Sequence, residues 1–203
     1  MTDEFKTIHD YAAGILKQGG SHGMDHTKRV VSLCRIIGKR EGADLRILIP
    51  AALLHDIARP IEKEKGLMHE VEGARMAEEF LLSIAYDATL IPRIAQAIRT
   101  HRFTTMEKPA FLEAEILSDA DKLDAMGAPG IARTFLRAGE YGGGIDDAIA
   151  HFHDKLLRLH TTMYTATGQK IAQERHAFLV RFLETLEGEM AMEPQGGPVH
   201  KTP

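Results

Sequence analysis

The sequence predicts an all-α fold, on three observations. Apolar residues recur at helical spacing nearly throughout, and no stretch of useful length alternates apolar and polar residues as a half-buried strand does. Glycine and proline fall at the breaks between these periodic segments, where helices stop and start. With 203 residues, 44% hydrophobic and 27% charged, the chain suits one globular domain with a real core, and a disordered or collagen-like chain is ruled out.

Phe5, Ile8, Ala12, Ile15 and Leu16 make the first stripe, which Gly19-Gly20 ends. A second helix spans Asp25 to Glu41, with His26, Val30, Leu33 and Ile37 on one face and Gly42 closing it. Asp44 is placed to cap a third segment, in which Pro50 removes a backbone donor, so a kink or a fresh start is expected there. Ala51-Ala52-Leu53-Leu54 then forms a buried helix that carries His55 and Asp56 at its end, and Pro60 is expected to stop it. Further helices are predicted at Glu70 to Ser83, Ala88 to Thr100 with Asp87 as cap, Leu112 to Asp124, Ile131 to Ala138, Asp146 to Leu159, and Gln169 to Glu187. Gly139 to Gly144 reads as a flexible connector. These elements read as a single domain over 1–190, and the tail 191–203, which lacks periodicity, is expected to be disordered.

Lys plus Arg total 25 against 29 for Asp plus Glu, a net charge of −4. The whole-molecule field therefore does not favour duplex nucleic acid, and phosphate binding has to be local. The longest apolar stretch, around Leu48 to Leu54, is far short of the roughly 20 residues of a membrane span, so no membrane partner is expected. Cys34 is the one cysteine, and the N-terminus lacks the basic and apolar regions of a secretory signal; a cytoplasmic location follows as an expectation. Phe178, Phe182, Leu183 and Leu186 give the last helix an apolar face that fits either the core or a second copy in a homo-oligomer, with the core as default.

Eleven histidines against no tryptophan point to metal ligation or proton transfer. His55-Asp56 is the sharpest signal, because a buried imidazole and carboxylate at the end of an apolar helix need satisfying and a divalent cation satisfies both. Taken alone, such a pair is more often a backbone-bonded histidine beside a capping aspartate. His26 on an apolar face, His69 opening one helix, His101 ending another, and Asp119 and Asp121 in Ser118-Asp119-Ala120-Asp121-Lys122-Leu123-Asp124 each have an equally bland account, but not together. His151, His153, His160 and His176 form no recognisable site, His9 and His200 read as surface residues, and the nine methionines read as core filling.

In this pattern, with His26, the adjacent pair His55-Asp56 and the distant Asp121, the chain resembles the HD superfamily of metal-dependent phosphohydrolases. The segment from His22 to Val30 looks like the first-histidine helix of that family, Ala51 to Ile57 like its central motif, and Asp119 to Gly127 like its last; Gly130 to Thr134 and the helices beyond resemble a small stand-alone bacterial and archaeal subgroup. The resemblance implies an HD-domain helical bundle with His26, His55, Asp56 and Asp121 on one divalent cation. It further implies His69 and His101, with a bridging Asp56, on a second cation, so that one or two metals are bound. Asp119 competes with Asp121, and the Ala-Asp-Lys-Leu run favours Asp121. Mixed imidazole and carboxylate donors suit Mn²⁺, Fe²⁺, Co²⁺, Ni²⁺ or Zn²⁺, with Mg²⁺ less natural.

The implied activity is hydrolysis of a phosphoester or phosphoanhydride in a small phosphorylated molecule, a nucleotide before others, by metal-activated water, with pyrophosphohydrolase, phosphodiesterase and nucleotidase left open. Asp56 and His55 would be central to catalysis and His22 a general acid or a substrate contact. Arg59, Lys122 and Lys28 or Arg29 are the candidate phosphate-binding cations, although each reads equally well as solvated surface. Ile57-Ala58-Arg59-Pro60 departs from the alarmone-hydrolase branch, which has acidic residues shortly after its His-Asp pair, so that branch's catalytic carboxylates and substrate are not carried over. Two alternatives are an HD-fold di-iron oxygenase, like the inositol oxygenases, and a metal-binding regulatory module; the intact ligand set weighs against the latter.

Overall fold

A computed structural model describes residues 3–16, 21–103 and 107–191, apart from the side chains at 63 and 65. The described residues form ten α-helices and one 3-10 helix, and no strand. The expected end at Gly19-Gly20 and the expected disordered tail lie outside the described residues, except that 191 itself is a turn residue. So does His200.

Helix α1 is Asp3–Ile15, α2 Met24–Glu41, α3 Leu45–Leu54, α4 Arg59–Lys65, α5 His69–Ser83, α6 Ile91–Thr100, α7 Leu112–Asp124, α8 Gly127–Glu140, α9 Ile145–Asp154 and α10 Ala166–Met190; the 3-10 helix is Leu156–Thr162. α3 is the central rod. All its residues from Ile47 to Leu54 are buried, and it is covered by α1, α2, α6 and α7. α5 lies along α6, and α8, α9, the 3-10 helix and α10 build a second layer against α7. Phe135, Phe152 and Phe182 meet ring to ring in that layer, so the apolar face of α10 closes the monomer core, with Leu179 and Leu183 buried and Phe178 exposed. No helix of the described residues is long and apolar enough to cross a membrane.

Several boundaries follow the sequence reading closely. Asp44 accepts from the Arg46 amide at 2.9 Å, as an N-cap does, and Gly42 ends α2 in the left-handed region at φ 79°. Others are corrected. Pro50 does not restart α3, which runs unbroken through it: the carbonyl its missing N–H leaves free, that of Arg46, accepts instead from the Tyr86 hydroxyl at 2.6 Å. Pro60 does not stop α3, which already ends at Leu54; it stands in the first turn of α4, where its fixed φ helps start a helix.

Three further boundaries differ. Asp87 caps a turn by accepting from Thr89, and α6 begins only at Ile91 with Pro92 behind it. α8 extends past Ile131–Ala138 at both ends, leaving a connector of 141–144. The single helix expected over Asp146–Leu159 breaks at Lys155 and resumes as the 3-10 helix, whose Thr162 carbonyl accepts from Lys122 at 2.6 Å.

Candidate metal centre

Five helix ends and faces deliver the polar core. α2 supplies His26 near its start; the end of α3 supplies His55, with Asp56 in the turn that follows; α5 opens with His69; His101 ends α6; and α7 carries Asp121 near its C-terminal end. His26, His55, Asp56, His69 and His101 are all buried. Asp121 is the one exception, with a quarter of its side chain (25%) open to solvent.

The carboxylate of Asp56 sits at the middle. Its Oδ2 lies 3.6 Å from Nε2 of both His26 and His55, while its Oδ1 lies 3.6 Å from Nε2 of His69 and 3.7 Å from that of His101. Asp121 Oδ1 completes the first side, 3.4 Å from His26 Nε2. The tautomers follow from the outer partners. His55 Nδ1 donates to Ala52 O at 2.8 Å and His101 Nδ1 to Ile98 O at 2.6 Å; a carbonyl only accepts, so each Nδ1 carries the proton and each neutral Nε2 turns a bare lone pair inward. His26 Nδ1 donates to Asp124 Oδ2 at 2.7 Å and His69 Nδ1 to Glu62 Oε1 at 2.9 Å, with the same result.

Such an arrangement is costly as it stands. The Nε2 atoms of His26 and His55 face each other at 3.2 Å, and two lone pairs cannot form a hydrogen bond. Asp56 Oδ2 and His69 Nε2 are buried with no hydrogen-bond partner, an expensive state for a carboxylate oxygen and an imidazole nitrogen. Donors sharing a divalent cation at about 2.0–2.2 Å stand about 3–3.6 Å apart, close to the spacings here. The donor set therefore fits a cation, with His26, His55 and Asp121 as one group of three and His55, Asp56 and His101 as another.

The electrostatics hold His55, Asp56 and Asp121 in ligating form. Burial pushes His55 down to about 4, so it is neutral at pH 7. Burial alone would raise the carboxyl of Asp56, but the neighbouring His55 and the Arg59 guanidinium hold it well below the usual range. Asp121 is likewise raised by burial and lowered further by His26, His101 and His55, to about 2. His101 goes the other way: burial lowers it, but the nearby carboxylates of Asp56 and Asp121 carry it up overall.

Asp119 and Asp121, two residues apart, face different neighbours. Asp119 is fully buried and accepts from the amides of Tyr164 and Thr165 and from the Thr165 hydroxyl, tying the start of α10 to α7, whereas Asp121 faces His26. Arg59 reaches Asp56 with Nε at 3.2 Å and Glu62 with Nη1 at 2.9 Å, and its side chain enters the space above the centre. His22 also lines that space; its Nδ1 donates to Ser21 Oγ at 3.0 Å, and burial pushes it down to about 3. Lys122 stands in the wall, but its ammonium is held by Thr162 O and by Asp119 at 3.2 Å. Lys28 is exposed and Arg29 is clamped on Asp124 at 2.7 Å; neither lines the cavity.

The cavity above the centre has a volume of about 160 Å³ and opens to solvent. Arg59, Arg102, Lys122, Arg133, Arg137 and Lys155 stand in its wall, with Asp121 as the one carboxylate. Gly130 sets the depth: a Cβ there would lie 2.3 Å from the Ala125 carbonyl carbon, so only glycine lets α8 approach closely enough to bring Arg133 in.

The sequence reading passed over Asp124, Glu62, Arg102, Arg133, Arg137, His151 and Lys155. The available signal was spacing, since Asp124 stands three residues after Asp121 on a helix.

Residues 23–126 match the HD domain family. YpgQ of Bacillus subtilis (strain 168) is 35% identical over 188 residues, covering 90% of this chain and 92% of its own length. The crystal structure of that protein in complex with ADP superposes with a TM-score of 0.77 at 32% identity, covering 92% of this chain and 98% of the other. A predicted HD-superfamily hydrolase from an uncultured Thermotogales bacterium, also 32% identical, superposes with a TM-score of 0.68 over 94% of this chain and 93% of its own.

Proposed function

The chain belongs to the HD domain family, and on that premise we propose that it is a metal-dependent phosphohydrolase that cleaves a phosphoester or phosphoanhydride bond of a small phosphorylated molecule, a nucleotide before others. One observation carries the reading: a chain of net charge −4 gathers six cationic side chains around one cavity, which reaches through Asp121 and Arg59 to a buried cluster of imidazoles and carboxylates with unmet lone pairs. A local positive field over a metal-binding floor is the arrangement that phosphate chemistry needs. The ADP bound to Bacillus subtilis YpgQ supports a nucleotide as ligand.

His26, His55, Asp56 and Asp121 would hold one cation, and His69 and His101, sharing Asp56, a second. When bound, a divalent cation there supplies Lewis acidity, which activates water and stabilises charge developing on phosphoryl oxygens. The remaining work falls to the chain. Arg59, anchored by Asp56 and Glu62, presents its remaining guanidinium edge to a phosphate, and Arg102, Arg133, Arg137 and Lys155 hold the oxygens farther out. His22 is neutral at pH 7, so it serves as a hydrogen-bonding contact to the substrate, and the general-acid role is the weaker one.

The test is product analysis. Metal-stripped protein is given Mn²⁺ and a panel of nucleoside tri- and diphosphates, cyclic nucleotides and sugar phosphates, with phosphate, pyrophosphate and opened esters followed by chromatography. Mn²⁺-dependent release that is absent in His55→Ala is the expected result, and the product names the bond. Silence across the panel from a metal-loaded protein would overturn the proposal.

A further inference from the structure

The cavity over the metal centre does not end at Arg137. A second depression, reaching Ala138, Tyr141 and Asp147, shares Thr134, Arg137 and His151 with it, so the two form one trough between α8 and α9. One wall is a single face of α8: Gly130, Arg133, Thr134, Arg137, Ala138 and Tyr141 follow at helical spacings of three and four. At about 1.5 Å per residue that wall runs about 16 Å, far longer than a lone phosphate group requires.

Chemistry changes along its length. The inner part is cationic, with Arg133, Arg137 and Lys155, and among the described residues neither Arg137 nor Lys155 is paired with a carboxylate. At the outer end the character reverses. Tyr141 leaves 59% of its surface exposed, with the Arg137 guanidinium 4.8 Å from its ring centroid. Asp147 fixes the turn by accepting from the Gly144 amide at 2.8 Å, and no cation neutralises it among the described residues. The turn also wraps closely on that carboxylate, since a Cβ at Gly143 would lie 2.8 Å from Asp147 Oδ2. An anion at this end repels a phosphate, while an aromatic face beside an acceptor suits a planar, donor-bearing group.

We propose that the outer end of the trough is a nucleoside subsite: the base stacks on Tyr141, Asp147 accepts from a ribose hydroxyl or a base amino group, and the phosphates run inward past Arg137, Lys155 and Arg133 toward Asp121 and Asp56. This rests on the reading of the protein as a phosphohydrolase of nucleotides, and it fixes the direction in which such a ligand lies. The subsite prefers a nucleoside polyphosphate over the same polyphosphate without its nucleoside.

Calorimetry on the Mn²⁺-loaded protein tests this with two non-hydrolysable probes, the α,β-methylene analogue of ADP and methylenediphosphonate, with turnover of the nucleotide panel measured in parallel. The native protein is expected to bind the nucleotide analogue more tightly. Tyr141→Ala should weaken it about tenfold, the scale of one lost base–aromatic stack, while methylenediphosphonate binding stays unchanged and Tyr141→Phe restores the nucleotide affinity. Equal affinity for the two probes in the native protein, or a Tyr141→Ala effect that is absent or the same for both, overturns the subsite and leaves the phosphohydrolase reading standing. Selective nucleotide binding without turnover of any phosphorylated compound upholds the subsite and removes the phosphohydrolase reading instead. Binding of neither probe overturns the subsite, and the phosphohydrolase reading falls with it only if the whole panel is silent too.

Discussion

The two sides of Asp56 are built differently. On the Oδ2 side, His26 and Asp121 come from α2 and α7, which pack on each other and on the buried α3, and the orienting carboxylate of His26 is itself clamped: Asp124 accepts from Arg29 at 2.7 Å and from Arg133 at 2.8 Å. On the Oδ1 side, His69 opens α5 and leans on Glu62, a residue of the seven-residue α4, and its Nε2 has no hydrogen-bond partner. One side is a socket clamped by two arginines; on the other, which we call the rim side, His69 and His101 are equally buried but His69 leans on a short helix. Ligands locked by packing and outer hydrogen bonds keep their geometry without the ion, so the Oδ2 side is expected to hold a cation more tightly than the Oδ1 side.

Removing what both sides share has the largest expected effect. Asp56→Ala should lower activity by at least about 10³-fold and abolish tight metal binding on both sides, as read by turnover and by metal content after dialysis. An Asp56→Ala protein that stays active with its metal retained would break the comparison at its root. Asp124→Asn comes next. It keeps the shape but weakens the pull on His26 Nδ1, and the expected cost is about 10–100-fold in affinity at the tighter position, measured by competition with a chelator. The same change leaves Arg29 and Arg133 short of their shared anion, so thermal stability should fall as well. If the affinity is unmoved while stability drops, Asp124 is an architectural anchor only.

These contrasts mark where the sequence was readable. His26, His55, Asp56 and Asp121, which the structure brings together, were picked out in the sequence because they match the family's pattern of a histidine, an adjacent His-Asp pair and a distant aspartate. Asp124 and Glu62 were not, because their part depends on which ring nitrogen points outward, and only the packed structure sets that. The helices were legible by their apolar periodicity, and α7 was placed to the residue. Pro50 misled because its compensation, the Tyr86 hydroxyl, lies some forty residues away in α3's surroundings. Pro60 misled because a proline that ends one helix and one that starts another look alike without the intervening turn. The cavity wall was the least legible part: surface arginines are common, and Arg133, Arg137 and Lys155 become a site only when Gly130 lets α8 close in.

The rim side can be taken apart without touching the clamped Oδ2 side. His69→Ala should lower the metal-to-protein ratio but leave the Oδ2 side loaded, and Glu62→Gln, which retains an acceptor for His69 Nδ1, should weaken the rim position by a smaller factor. Elemental analysis of both variants at several free Mn²⁺ concentrations reads the two effects separately. An unchanged ratio in His69→Ala would mean a single-metal centre and would dissolve the distinction between the sides.

Acid separates the sides most finely. In the metal-free protein His101, on the Oδ1 side, has a pKa raised above its ordinary value, whereas His55 is pushed down to about 4 by burial. As pH falls from 7, His101 should therefore take a proton first and lose its inward lone pair while His55 is still neutral, so rim affinity should decline before that of the clamped Oδ2 side. The stability signs are opposite. His55 binds fewer protons folded than unfolded between about 4 and 6.5, so its contribution is lost as pH falls through that window. His101 contributes stability that is full below its unfolded pKa and disappears as pH rises through its folded one. Imidazole resonances followed by NMR across pH 4–8 on metal-free protein would show two separate titrations, and His55 titrating at or above His101 would reverse the order of the two sides.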